Sequence, residues 1–219
     1  MASMGVVERT AGERRYKGRT TAERRAERRR RLEDAALEVI GTRGWAEATM
    51  TEICRVAGLT ERYFYESFAS REELYVALLD DLEAELRERV FDAVAAADLP
   101  PEERIGAAIR ALVALYVGDP RRGRAALLEG IGVQALEQRR RQAILGLFDL
   151  LAERWDAFVP QVDADPAERR LRATAIGGAV TALIARRLEG ALELDDDALA
   201  AAIVATATAI AGAAPPARR

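Results

Sequence analysis

The sequence contains no histidine and only one cysteine, and these scarcities exclude several kinds of active site. Without histidine, the chain lacks the commonest general base, the commonest metal ligand and the usual pH-sensitive switch. A single cysteine, Cys54, excludes an intramolecular disulfide and a CxxC zinc site, and we expect its side chain to pack in a core. The chain also has no glycine-rich phosphate loop. We therefore predict that the protein is not an enzyme and that it uses no cofactor and no metal.

Aromatic residues and prolines are also scarce, while half of the residues are apolar. A core built mainly from Ala, Leu, Ile and Val in periodic, proline-poor segments is typical of an all-α protein. The N-terminus has no apolar signal segment, and the longest nearly apolar run, residues 198–214, is short for a membrane span. These patterns predict an all-helical cytoplasmic protein that does not enter a membrane.

Charge is distributed unevenly along the chain. Residues 1–31 contain eleven Lys/Arg and four Asp/Glu, whereas the whole chain has a net charge of −3. The first segment is therefore strongly basic and the remainder acidic. A basic end on an acidic body suits a protein that presents one face to phosphate groups, although a basic tail alone could also be without a specific role.

Residues 49–74 contain two short helix signals separated by a glycine, with a third helix start close behind. Thr49 and Glu52 have the spacing of a capping box, Gly58 is a helix-ending glycine, and Thr60 can cap the next helix. Ser70 and Glu73 form a second capping box. Two helices joined by a short glycine-containing turn are the helix-turn-helix signature, so the segment predicts a DNA-binding unit with a second helix over residues 61–68.

This segment resembles the N-terminal domain of TetR-type transcriptional repressors, over about residues 22–80. The residues that carry the resemblance follow in order and spacing: Leu32-Glu33-Asp34-Ala35-Ala36, Arg43-Gly44-Trp45, Thr49, Glu52-Ile53, Ala57-Gly58, Thr60, Tyr63-Phe64-Tyr65, Phe68 and Ser70-Arg71-Glu72-Glu73-Leu74. Ala69 stands where the family usually has proline, and Tyr63-Phe64-Tyr65-Glu66-Ser67 replaces a common Thr-Leu-Tyr-x-His. The operator sequence therefore does not follow from the resemblance.

The resemblance implies a set of DNA contacts. Arg62 and Tyr63 are expected at base edges, since arginine is the commonest reader of guanine in the major groove. The positions expected to contact phosphates are Thr49, Thr60, Tyr65, Ser67 and Arg71. The resemblance further implies a homodimer that binds double-stranded operator DNA at two half-sites.

The predicted organisation is a disordered basic arm (1–20), a three-helix helix-turn-helix domain (21–69), a larger helical effector-binding and dimerisation domain (70–214), and a tail (215–219). The first helix runs from about 21 to 40, and Gly41 and Gly44 are expected to bracket the following turn. A long fourth helix begins at Ser70, and residues 133–158 are predicted to form one long helix. Asp before Pro at 119–120 and 165–166 marks two further helix starts.

The larger domain is expected to hold the other two sites. An effector pocket for an apolar or aromatic small molecule is predicted among the middle helices, from Leu112, Tyr116, Leu128, Phe148, Leu151 and Trp155. A dimer interface is predicted on the last two helices, from Ile176, Val180, Leu183, Ile184, Ile203 and Ile210. Small residues between these positions would allow close approach of helices.

The sequence thus favours a ligand-responsive transcriptional regulator, a repressor released from a palindromic operator by its effector. A helical small-molecule carrier with a vestigial DNA-binding domain is the alternative. Exposed Arg62, Tyr63 and Arg71 argue against the carrier, and specific, salt-sensitive DNA binding would eliminate it.

Overall fold

A computed structural model of the chain describes residues 20–95, 99–100 and 103–212, and within these ranges all regular structure is helical. The predicted all-α fold is therefore confirmed. The predicted basic arm, apart from Thr20, and the predicted tail lie outside the described residues. The helices are α1 (Thr21–Arg43), α2 (Met50–Ala57), α3 (Glu61–Tyr65), α4 (Arg71–Ala95), α5 (Arg104–Tyr116), α6 (Pro120–Leu127), α7 (Gln134–Glu153), α8 (Trp155–Phe158), α9 (Pro166–Leu188) and α10 (Asp196–Gly212).

Local sequence signals explain most helix boundaries. The side chain of Thr20 accepts from the Glu23 amide while the Glu23 carboxylate accepts from the Thr20 amide, which closes a full capping box. Asp119 and Asp165 cap α6 and α9, each followed by proline at the first helical position. Gly58 ends α2 in the left-handed conformation, with φ of 62°.

The first helix is longer than predicted. It continues to Arg43 and ends at Gly44, whose φ is 89°, so Gly41 lies inside the helix and not at a turn. A Cβ atom at Gly41 would lie 2.5 Å from the Cα of Arg121 at the start of α6. Gly41 therefore allows α1 and α6 to touch backbone to backbone, which fixes the N-terminal helices against the rest of the chain.

Helix α4 connects the two parts of the molecule. It packs against α1, α5, α6 and α7. Seven of its side chains are buried, from Leu74 to Val90. Each fully buried leucine contributes about 1.5–3 kcal/mol, so this single stripe is a large part of the core. The N-terminal helices and the body therefore share one hydrophobic core along α4.

The predicted helix over 133–158 is two helices. The backbone leaves helical geometry at Arg154, with φ of −102° and ψ of 23°, and α8 starts at Trp155. The break turns the Trp155 ring fully into the core, where the indole Nε1 donates to the carbonyl of Val162 at 2.9 Å. Burial of the largest side chain with its N–H satisfied explains why the chain bends here.

Candidate DNA-binding face and effector cavity

The N-terminal three helices form a compact helix-turn-helix unit. The Thr49 hydroxyl accepts from the Glu52 amide at 3.2 Å, as the capping signal predicts. The Glu52 carboxylate does not return to the Thr49 amide. Hydrogen bonds from Arg55 and Arg43 hold it instead and lower the pKa of Glu52 to about 2. Cys54 is buried, as predicted, and burial raises its pKa.

Helix α3, the second helix of the helix-turn-helix motif, is shorter than predicted and presents several side chains outward. It ends at Tyr65, while Phe64 and Phe68 are buried beneath it. The Arg62 side chain is 85% exposed and Tyr65 is 60% exposed. Exposed donors and aromatic rings on one short helix give the kind of surface that can contact base edges and phosphates.

Glu61 in α3 and Glu66 directly after it both have partners within the protein. The Glu61 carboxylate accepts from the Thr51 hydroxyl at 3.1 Å. Glu66 accepts from Arg28 at 3.2 Å and from Arg62 at 3.3 Å. These contacts lower the negative charge that the face presents to a phosphate backbone.

The arginines of α1 have a structural role that the sequence did not reveal. Arg25 donates to the carbonyl of Glu66 at 2.8 Å, Arg29 to that of Ser67 at 3.2 Å, and Arg31 to that of Ala57 at 2.5 Å. These carbonyls lie at the C-terminal ends of α3 and α2, where cations are favourable. The basic start of α1 therefore secures the helix-turn-helix as well as adding positive charge.

Three residues that were predicted to contact phosphates have surroundings that the sequence did not indicate. Thr60 is exposed at the start of α3 but makes no capping hydrogen bond. The Ser67 hydroxyl oxygen is buried and has no hydrogen-bond partner among the described residues, so it does not lie on the outer face. The Arg71 guanidinium lies 4.3 Å from the centre of the Trp45 ring. Arg71 thus also packs the junction between the N-terminal helices and α4.

Trp45 lies at the centre of that junction. Its ring stacks on Tyr75 with the ring centres 5.2 Å apart. Its backbone amide donates to the Glu129 carboxylate at 3.0 Å, and Arg124 holds the other oxygen of that carboxylate at 3.1 Å. Glu129 follows α6, so the turn before α2 is tied directly to the helical body.

The body contains two adjoining cavities between α4, α5, α7 and α9. The space they enclose, which is partly open to solvent, is about 530 Å³ in one and about 670 Å³ in the other. Leu112, Leu147, Val180 and Thr181 line both, so the cavities meet at this wall. Most other lining side chains are apolar.

Four of the six predicted pocket residues line this space: Leu112, Tyr116, Phe148 and Leu151. Leu128 and Trp155 do not. Trp155 is fully buried behind the break between α7 and α8, and Leu128 ends α6. The apolar periodicity identified helices that surround the cavity, but it could not separate lining residues from packed core.

The predicted interface residues divide in a similar way. Ile176, Val180, Ile184 and Ile203 are buried in the chain's own core, and the first three line the cavities. They support α9 and α10 from inside and do not lie on a surface that a partner could meet. Leu183 and Ile210 are partly exposed.

The outer faces of α9 and α10 are instead formed by small residues. On α9 the exposed stripe follows helical spacing, and on α10 no charged residue occurs after Asp197. Leu171 is also exposed on α9. The exposed small residues include Ala175, Gly178, Ala182, Ala198, Ala201, Ala202, Ala205, Thr206, Thr208, Ala209 and Gly212. Such a smooth face permits close approach of a second pair of helices.

Among the described residues, no helix has the length and apolar character needed to cross a membrane.

Comparison with known proteins agrees with this architecture. Residues 32–78 match the sequence model of the family described as "Bacterial regulatory proteins, tetR family". The HTH-type transcriptional regulator BetI of Rhizobium meliloti (strain 1021) is 45% identical over 85 residues, which are 38% of this chain and 40% of that protein. The sequence match to this curated relative therefore spans less than half of its length.

Solved structures extend the similarity over the whole fold. A TetR-like transcriptional regulator from Rhodococcus sp. RHA1 superposes with a TM-score of 0.66 at 25% identity, over 86% of this chain and 98% of that one. FadR from Bacillus subtilis, solved in complex with stearoyl-CoA, has a TM-score of 0.70 at 19% identity, over 84% and 97%. The fold and the site define a helix-turn-helix protein with a helical second domain. Residues 32–78 thus resemble the DNA-binding segment of the tetR family, and the chain as a whole has the fold of TetR-like regulators.

Proposed function

We propose that the protein is a ligand-responsive transcriptional repressor, which binds a palindromic operator as a homodimer and releases it when a small molecule enters the cavity. The observation that carries the proposal is the joining of an exposed helix-turn-helix face to an apolar cavity through α4 and the Trp45–Glu129 hydrogen bond. An effector acts by binding one arrangement of these parts more tightly than another. A DNA-binding regulator acts in the cytoplasm, and we propose that location.

For DNA recognition, we propose that α3 enters the major groove. Arg62 and Tyr63 would contact base edges, and Thr49, Thr60, Tyr65 and Arg71 would contact phosphates. The Arg62 side chain is 85% exposed, and Glu66 restrains it through the ion pair at 3.3 Å. A guanidinium held in this way is suited to the bidentate contact with guanine.

For assembly, we propose that the small-residue faces of α9 and α10 pair with those of a second copy. Two helices from each subunit would form a four-helix interface, with Leu183 and Ile210 at its margins. The two recognition helices would then reach half-sites about one helical turn, roughly 34–36 Å, apart. The domain boundaries at residues 20, 69 and 214 belong to this proposal.

The decisive experiment is recovery of genomic fragments on the purified protein, followed by titration of the best fragment at two salt concentrations. Enrichment of a short palindrome bound by a dimer supports the proposal. Arg62→Ala should weaken binding to that palindrome by about 1–3 kcal/mol and leave nonspecific binding nearly unchanged. Arg89→Ala, an exposed arginine on α4, is the control for the loss of one charge.

Salt-sensitive binding with no preferred sequence would contradict the repressor and favour the helical carrier, in which the basic end is a general anchor. Equal losses on all sequences from Arg62→Ala would remove Arg62 as a base reader while leaving the regulator intact.

A further inference from the structure

One buried tyrosine that lines the cavity has a hydroxyl group with no hydrogen-bond partner among the described residues. Tyr116 is 6% exposed, and its hydroxyl makes no hydrogen bond with any other described residue. The second buried tyrosine behaves differently, because Tyr75 donates to the carbonyl of Ala125 at 2.6 Å. Buried tyrosine hydroxyls normally find a partner, so an open one that lines a cavity indicates a place for a ligand atom.

A second residue with a hydroxyl group, Thr181, lines the same cavity from another helix. Thr181 of α9 lines both cavities, and its hydroxyl also has no hydrogen-bond partner among the described residues. Thr174 and Thr206, in contrast, donate to the carbonyls of the residues four positions earlier, at 2.8 and 2.9 Å. The cavity therefore offers two hydroxyls without hydrogen-bond partners among the described residues, and its lining is otherwise apolar except for Glu83 and Arg140.

The two charged residues that line the cavity with Tyr116, Glu83 and Arg140, already have partners within the protein. Glu83 lines the cavity and accepts from Arg87 at 2.9 Å and from Arg139 at 2.6 Å. Burial would raise the pKa of Glu83, but the hydrogen bonds from these two arginines outweigh it, and the pKa is lowered. Arg140 also lines the cavity, and its Nη1 donates to the carbonyls of Leu127 and Glu129.

The same surroundings keep the phenol neutral. Burial, with the nearby carboxylates of Glu83 and Glu85, raises the pKa of Tyr116. Tyr116 therefore remains a hydrogen-bond donor at physiological pH. A carboxylate or ammonium group brought into this space would lose its hydration, and the charges present are already engaged with each other or with carbonyls.

We propose that the effector is an uncharged, mainly apolar molecule with one hydrogen-bonding oxygen, which the hydroxyls of Tyr116 and Thr181 hold while the aliphatic and aromatic walls enclose the remainder. The inference that this molecule controls DNA binding rests on the proposed function. Its binding chemistry can be tested without DNA.

The test uses three probes that share a ten-carbon chain and differ only in the head group: decan-1-ol, decanoate and decyltrimethylammonium. Decan-1-ol is titrated below its solubility limit and the two charged probes below their micelle concentrations, and binding to the full-length protein is followed by tryptophan fluorescence and calorimetry. Decan-1-ol should bind most tightly. Tyr116→Phe and Thr181→Val should each weaken its binding about 3- to 10-fold, which corresponds to one hydrogen bond.

Tyr75→Phe is the matched control, because it removes a buried hydroxyl that points to a backbone carbonyl. We expect it to lower the melting temperature and leave decan-1-ol binding unchanged. Tyr116→Phe should show the reverse pattern, since its hydroxyl makes no hydrogen bond within the part of the chain that the structure describes.

Three results would overturn the proposal: tighter binding of decanoate or decyltrimethylammonium, wild-type binding of decan-1-ol by both hydroxyl variants, or no binding of any probe. None of them bears on operator recognition. Failure to select a palindrome, conversely, would leave the cavity chemistry intact and assign it to a carrier.

Discussion

Removal of the Glu129 carboxylate should uncouple the helix-turn-helix unit from the helical body. In the folded protein one oxygen of this carboxylate accepts from the Trp45 amide at 3.0 Å, and the other accepts from Arg124 at 3.1 Å. Glu129→Ala removes both contacts and leaves the Trp45 amide without its acceptor. Buried Trp45 also stacks on Tyr75, so the loss falls at the centre of the junction.

The magnitude follows from the burial of the group. The Glu129 side chain is only 16% exposed, so a hydrogen bond to its charge is worth about 1.5–3 kcal/mol. The Arg124 side chain is 37% exposed, and the ion pair adds at most about 1 kcal/mol. A total loss of about 2–3 kcal/mol in the free energy of unfolding corresponds to a fall in melting temperature of about 4–12 °C for a chain of this length.

The assay is thermal unfolding at fixed protein concentration, followed by titration of the selected operator. Glu47→Ala is the control, because Glu47 is an exposed acid on the same turn. Both variants remove one negative charge near the DNA-binding face, so both change the electrostatic attraction to DNA similarly. Only Glu129→Ala should lower the melting temperature and reduce the effect of the effector on operator binding.

A melting temperature for Glu129→Ala within about 1 °C of that of Glu47→Ala would refute this reasoning. The Trp45 amide would then be satisfied by water, and the connection between the two parts would depend on α4 and on the α1–α6 contact alone.

Further predictions concern the cavity, the interface and pH. A Cβ at Gly177 would lie 2.1 Å from Phe148, so Gly177→Ala should push this ring into the cavity and weaken probe binding, whereas Gly178→Ala, with no atom within 4 Å of its added Cβ, should not. Equal affinity of the two variants for decan-1-ol would contradict this prediction. Ala205→Glu should convert the dimer to monomer in analytical ultracentrifugation, and an unchanged mass would place the interface elsewhere. Because the folded-state pKa of Glu52 is lowered to about 2 from about 4.5, its contribution to stability is present above pH 4.5 and lost as the pH falls toward 2. Melting curves in this window should therefore depend less on pH in Glu52→Gln, and parallel curves would count against the assignment.

Local signals allowed the helix starts and the helix-turn-helix to be predicted from sequence. Capping by Thr49, the left-handed Gly58 and the Asp-Pro starts each depend on residues within one turn of the chain, so short-range pattern is enough. The same applies to the exposed face of α3, because Phe64 and Phe68 define its buried side.

Predictions that depended on what covers a helix were less successful. The stripe of Ile176, Val180 and Ile184 was expected at a subunit interface, but it faces the cavity, and small residues form the outer face. Periodicity shows that a helix has an apolar side, but α9 has two sides free of charge over its middle turns. The two sides differ in side-chain size and not in polarity, since the inner side carries large apolar residues and the outer side small ones.

The sequence by itself determined the helical class, the DNA-binding unit and the caps, because these arise from interactions between residues close in the chain. Tertiary structure alone decided the partners of distant groups: the α1 arginines on the ends of α2 and α3, Glu129 on the Trp45 amide, and Tyr116 left open in the cavity. Such contacts join residues separated by tens of positions. Their formation depends on how whole helices pack, which no local pattern encodes.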